Sequence, residues 1–271
     1  MIKKAVLLAA AVIVAAALHF YTDSYPAGTP KQPGMPDDIA VKLVLMLGKD
    51  SGGAAAVQNQ GDVNGSPYFK KIDIYNMHSG GSLVLLEKYK TYQQHTGYTC
   101  GPAAALTVVR HFLGTAPDSE LEIAKIMGTH PAWVKDPGTN TRGMSRYFEQ
   151  KGWTVKNSLK DGSPETYEEF LGFVDGNLKQ GIPIMVENVE WGGHWRVIIG
   201  HDTLGDKHGD NDVLLMADPY DTTDHCQDGY TVVSAERFYY MWFDAHLFRE
   251  KEKLRQWLTA MPPDYKPAKE E

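Results

Sequence analysis

Between residues 101 and 181 the apolar positions recur at three- and four-residue intervals, the period of helices that bury one face. A first helix is predicted over Gly101 to Leu113, with Pro102 in its opening turn and Gly114 just past its end. Ser119 and Glu122 have capping-box spacing and open a second helix, which Gly128 stops. A third runs from Thr141 to Lys151, ended by Gly152. A fourth takes Ser163 as N-cap and Pro164 as first residue, lines up Tyr167, Phe170, Leu171, Val174 and Leu178, and ends near Gly181. The period then changes. Pro183 to Glu187, His194 to Gly200 and Val213 to Ala217 are strand-length apolar runs, and Tyr230 to Val233 and Phe238 to Trp242 extend the series. Helices first and strands later predict an α+β domain with a largely antiparallel sheet.

The flanks are patterned differently. Ile39 to Leu47, Ile72 to Tyr75 and Leu83 to Leu86 read as short strands, the last two parted by the Ser79-Gly80-Gly81 turn. Ala245 to Trp257 reads as an amphipathic helix with Leu247, Leu254 and Leu258 on one side, and the final PPDYKPAKEE as an unstructured tail. At the other end, Lys3 and Lys4 precede an apolar run from Ala5 to Leu18 that closes on Ala15-Ala16-Ala17. That is the grammar of a secretory signal, and it is shorter than the ~20 residues of a spanning helix. Two forms are expected, a cleaved signal peptide or an N-terminal anchor and membrane tether. Either makes the protein exported: periplasmic, extracellular or held on the outer side of the cytoplasmic membrane. The predicted organisation is 1–21 signal or anchor, 22–38 Pro/Gly-rich linker, 39–87 N-terminal extension, 88–245 main α+β domain, and 246–271 C-terminal helix and tail.

Composition narrows the function. The 271 residues are 42% hydrophobic and 23% charged, enough for one substantial core. The net charge of -7 argues against a nucleic-acid partner. Cys100 and Cys226 are the only cysteines, too few for a disulfide framework in a chain this long. They either pair with each other or one of them does chemistry.

Cys100 precedes a helix whose first turn offers free N–H groups and positive partial charge, a setting that favours thiolate. Gln94, six residues earlier, can donate to an oxyanion beside the Cys100 N–H, with the neighbouring Gln93 as a rival for that role. His194 opens an apolar strand after Gly192-Gly193, in GGHWRVIIGHD, and can serve as base. Asp218 closes the next strong strand, in ADPY, and can orient the histidine, although Asp-Pro is also an ordinary turn start. Gly193, Trp191 and Trp195 flank the base and are expected to line a substrate cleft, with core packing as the alternative for the tryptophans. His201 lies seven residues after His194, so strict strand alternation puts the two on opposite faces. The Asp- and His-rich stretch from Asp202 to Asp228 invites a calcium reading, but it lacks a twelve-residue loop with a closing Glu. A solvated acidic hairpin is expected there, with no metal and no cofactor.

The segments QHTGYTCGPAAALTVVRHFLG, GTNTRGMSRYFEQKGW, GGHWRVIIGHD and ADPYD together resemble papain-like cysteine peptidases. The match is closest to stand-alone relatives of the bacteriocin-processing double-glycine peptidases and covers roughly Lys88 to Trp242. The resemblance implies a papain-like fold, with a helical half packed on an antiparallel sheet. It also implies Gln94 in the oxyanion hole, Cys100 as nucleophile, His194 as base and Asp218 as orienting acid, acting on a peptide or protein substrate. Phytochelatin synthases look similar in the same four roles, so a papain-like acyltransferase is one alternative. A non-catalytic peptide-binding module is another. The Leu204 to Asp212 stretch departs from the family pattern as an insertion-like loop, and nothing before residue 88 matches.

Overall fold

The computed structural model describes residues 53–54, 66–131, 136–245, 252 and 254–267. The predicted signal segment, linker and Ile39 to Leu47 strand lie outside these residues, as does Leu247. Among the described residues, no helix is long and apolar enough to cross a membrane.

The order of elements is β1 (Leu83–Leu85), α1 (Cys100–Leu113), α2 (Glu120–Met127), α3 (Thr141–Gln150), β2 (Thr154–Asn157), α4 (Ser158–Asp161), α5 (Tyr167–Lys179), β3 (Ile184–Asn188), β4 (His194–Asp202), β5 (Val213–Ala217), β6 (Tyr230–Ser234), α6 (Ala235–Tyr240) and β7 (Trp257–Met261). All seven strands form one antiparallel sheet in the order β2-β7-β3-β4-β5-β6, with β1 paired to the far end of β4. This is the expected α+β architecture, helices first and an antiparallel sheet after.

Local chemistry explains the helix ends. Ser119 and Glu122 form a reciprocal capping box on α2, and Gly128 ends that helix in the left-handed region at φ 70°. Gly114 closes α1 the same way at φ 75°. Ala103, Ala104 and Ala105 of α1 are fully buried, and their small side chains let the helix sit close to the sheet core of Trp195, Val197, Ile198 and Leu215.

Several expectations are corrected. Ile72 to Tyr75 is no strand; Ile74–Asn76 is a 3-10 turn capped by Asp73. The cap of α5 is Thr166, in a capping box with Glu169, whereas the Ser163 hydroxyl donates to Arg255 O at 2.8 Å. Phe238 to Trp242 lies in and after α6, because Ser234 caps a helix there by accepting from Arg237 N. Trp257 and Leu258 belong to β7, a buried strand between β2 and β3. Its alternation is hidden because both faces are covered. Residues 262–267 are ordered against the domain: Tyr265 packs edge-on against Phe112 at 4.7 Å and donates to Gln180 O at 2.7 Å. A register shift between Ile198 and Gly200 cancels the odd spacing of His194 and His201, so both fall in the same alternating set of β4.

Candidate active site

Cys100 is the first residue of α1 and is buried. Thr99, the N-cap, makes no side-chain cap bond, because its hydroxyl is turned away to Glu120. The opening N–H groups of α1 are therefore left without a side-chain acceptor, at the positive end of the helix. Gly101 permits this seating: a Cβ there would lie 2.8 Å from the Thr139 side chain and 3.2 Å from Met144 Sδ.

His194 opens β4 and is 2% exposed. Its Nε2–H donates to Asp218 Oδ1 at 2.7 Å, and Cys100 is the second group that favours the charged imidazole. Burial pulls the imidazole down, but Asp218 and Cys100 outweigh it and push His194 up to about 9. Asp218 lies directly after β5. Burial pushes its carboxyl up, yet His194, Arg196 and the Tyr220 N–H at 2.8 Å hold it below the usual range. A charged imidazolium beside an ionised carboxylate is the favoured state of this pair.

The two glutamines have separate positions. Gln93 donates from Nε2 to Asp218 O at 3.0 Å, and the Gln94 N–H donates to Pro219 O at 2.9 Å. Together they stitch the segment before α1 to the corner that carries Asp218. Gln94 is 1% exposed, and its Nε2 donates to Thr96 O at 2.8 Å, which uses one of two amide hydrogens.

Trp191 and Trp195 diverge. Trp191 is 58% exposed, sits at φ 50°, and lays its ring 5.0 Å from His194 and 4.9 Å from Tyr220. Trp195 is 1% exposed and donates from its indole to Thr139 O at 2.7 Å, so it takes the core-packing alternative and lines no cleft. Gly193 is extended backbone whose N–H donates to Glu190 O at 3.0 Å. Both cysteines are free thiols; Cys226 donates to Asp228 Oδ2 at 3.3 Å.

Four polar residues around the site were not singled out by sequence. Arg196 stands two positions after His194, and alternation alone brings it to the same face. Glu120, fully buried, accepts from Tyr92 OH, His95 and Thr99 and ties the pre-helix segment to α2. Glu187 and Gln256 form a buried bond of 2.9 Å, continued by Thr141 Oγ1 donating to Gln256 Oε1 at 2.6 Å. Burial, Asp244 and Cys100 push the Glu187 carboxyl well above its usual range. Only Arg196 left a usable sequence signal; the others depend on contacts between distant segments.

The acidic stretch divides: residues 204–211 between β4 and β5 are largely exposed, as a solvated hairpin requires, whereas after β5 Asp218 and Asp221 are packed inside. Asp221 is fully buried, and burial with Asp224 and Asp218 nearby pushes it up to about 10. Among the described residues, no group of His, Cys, Asp or Glu is arranged to hold a metal ion.

The solved structures that resemble the chain include two peptidase domains. The peptidase domain of Streptococcus ComA, a bi-functional ABC transporter involved in a quorum-sensing pathway, is 19% identical, with 64% of this chain and 98% of that one covered and a TM-score of 0.38. The peptidase domain of Streptococcus mutans ComA is 17% identical, with 64% and 100% covered and a TM-score of 0.34. No curated protein matches the chain. Residues 86–244, well over half of the chain, match the model of the Peptidase_C39 like family, and the chain belongs to that family of cysteine peptidase-like proteins.

Proposed function

We propose that the chain is an exported cysteine peptidase or amidase that cleaves a peptide or related amide bond through a Cys100 acyl-enzyme. One observation carries the reading. The buried Cys100, at an uncapped helix start, is electrostatically coupled to an imidazole whose Nε2 lies 2.7 Å from Asp218 Oδ1. This coupling supports a nucleophile, base and orienting acid acting in series.

In the proposed reaction His194 holds the thiol proton and the Cys100 thiolate attacks the substrate carbonyl carbon. The carbonyl electron pair moves to oxygen, which accepts from the Cys100 backbone N–H and from the second amide hydrogen of Gln94. Collapse of this intermediate breaks the C–N bond, and His194 protonates the departing amine. Water then attacks the thioester, gives its proton to His194 and releases the acid and the thiolate. Trp191, exposed beside His194, is proposed to meet the substrate.

An electrophilic peptide probe with mass-spectrometric identification of the labelled residue tests the reading. Cys100 is expected to carry the label, and His194→Ala to lose it. Labelling that ignores His194, or falls on Cys226, overturns it. Export is tested separately: the full chain is expected in the exported fraction, shorter by roughly twenty residues if the signal is cleaved. A full-length product confined to the cytosol defeats that part.

A further inference from the structure

We propose that Arg196 is a positioning residue of this site, which locks the second carboxylate oxygen of Asp218 and supplies fixed positive charge to the Cys100–His194 pair. The proposal rests on the cysteine-peptidase reading above.

Arg196 lies inside the sheet and is 3% exposed. Its Nη1 donates to Asp218 Oδ2 at 3.4 Å, while Oδ1 of the same carboxylate serves His194 and the Tyr220 N–H. With both oxygens engaged, the carboxylate cannot rotate away from the imidazole. Arg196 Nη2 pairs with Glu190 Oε2 at 3.2 Å. With its amide oxygen turned toward Arg196, Asn188 accepts from Nη2 at 2.9 Å and donates to His194 O at 3.2 Å. The guanidinium therefore touches the acid, the loop bearing Trp191, and the residue that braces the His194 backbone. Its outer face lies 6.0 Å from the Phe238 ring centroid.

A buried ion pair adds little to stability compared with well-packed apolar residues, so packing alone does not explain an arginine here. Its planar fork presents separate N–H groups to Asp218 and Glu190 in fixed geometry, whereas an ammonium is a compact point charge without that fork. The other charged and titratable groups coupled to the site are Cys100 from α1, Glu187 from β3, and Asp221 and Asp224 from the β5–β6 connection. Glu187, Asp221 and Asp224 are all carboxyls, and Arg196 is the permanent cation among these groups.

The test is the pH dependence of Cys100 alkylation by iodoacetamide on the full chain, which reads thiolate without needing a substrate. Arg196→Met removes positive charge, and its acid limb is expected about one pH unit higher than wild type. Arg196→Lys keeps the charge but not the fork, and should recover part of the shift. Glu190→Gln, at a partly exposed position, frees Arg196 of its counter-ion and is expected to move the limb lower. A purely structural arginine predicts reduced stability with no displacement of either limb. Unmoved limbs in both Arg196→Met and Glu190→Gln, where wild type shows His194-dependent labelling, overturn the proposal. Should Arg196→Met fail to fold, the sign of the Glu190→Gln shift decides. Wild type without any His194-dependent labelling sinks the cysteine-peptidase reading instead.

Discussion

Glu120 holds His95 twice: Oε1 accepts its backbone N–H at 3.2 Å and Oε2 meets its ring Nδ1 at 2.8 Å. The same carboxylate accepts from Tyr92 OH at 2.9 Å and from the Thr99 hydroxyl. The segment that carries Gln94 into Cys100 is thus suspended from one buried acid on the first turn of α2.

Glu120→Ala removes the acceptor these donors share; Tyr92 OH and His95 Nδ1 keep each other at 3.2 Å and Thr99 Oγ1 keeps Thr96 Oγ1 at 2.7 Å, which leaves the His95 N–H as the donor without an alternative here. A buried donor left unpaired costs ~1–3 kcal/mol, so a loss of that order is expected. Urea unfolding followed by circular dichroism measures it. Glu120→Gln keeps the shape and should lose less; equal stability of all three proteins contradicts the role.

Gln94 and Gln93 should separate by readout. Gln94→Ala is expected to lower turnover by ~10²–10³ with KM little changed, the mark of a lost oxyanion donor. Gln93→Ala removes the tie to Asp218 O, so its first effect should be a lower thermal midpoint. Steady-state kinetics alongside melting curves distinguish them, and the reverse assignment would exchange the two roles.

His201 sits between two carboxylates, with Nδ1 2.7 Å from Asp175 and Nε2 2.7 Å from Asp212. Burial pulls it down, but the two acids win and its folded value is raised. The stabilisation it gives is fully present below the unfolded value of about 6.5 and is lost as pH rises through the folded value. The thermal midpoint of His201→Gln should therefore fall furthest below wild type at pH 5 to 6. The gap should narrow in alkaline buffer; a gap that widens with pH refutes the charged state.

Asp221 offers the opposite sign. It accepts from the Gly229 N–H at 2.8 Å and is neutral when folded, its carboxyl pushed up to about 10. Unfolding releases that proton above the unfolded value of about 4, so its contribution weakens as pH rises from there. Asp221→Asn keeps the acceptor and needs no proton. It should raise the melting midpoint, more at pH 8 than at pH 5, as differential scanning fluorimetry will read.

Much of this arrangement is legible in sequence because its chemistry is local. The capping box at Ser119, the Gly114 and Gly128 stops, and the period change after residue 182 each predict their element. Gln94, Cys100, His194 and Asp218 stand out by spacing and context; His194 meets Asp218 at 2.7 Å, and the Gln94 N–H joins the same corner at Pro219 O. What escaped depends on partners far along the chain. β2 is four residues long, exposed on alternate positions, and exists because β7 pairs with it. Thr166 outcompetes Ser163 as a cap because Ser163 is claimed by Arg255, 92 residues away. Trp195 and Trp191 are four residues apart, yet only contact with Thr139 sends one inward. The His201 parity error came from a single register shift, which no composition announces.

The position of β7 sets an order of assembly. It pairs with β2 through Asn157↔Leu258 and with β3 through Met185↔Leu258, so the final strand of the sheet is an interior one. Until it threads between them, β2 and β3 face each other across a slot with unpaired edges, open to wrong partners. Such long-range closure is slow, because the loop entropy comes due before the contacts form. Gln256, at the threshold of β7, reaches Glu187 and Thr141 only once the strand is seated. Cys100 stands well before β7 in the chain, so the Gln256 contacts with Glu187 and Thr141 must wait for residues made long after it.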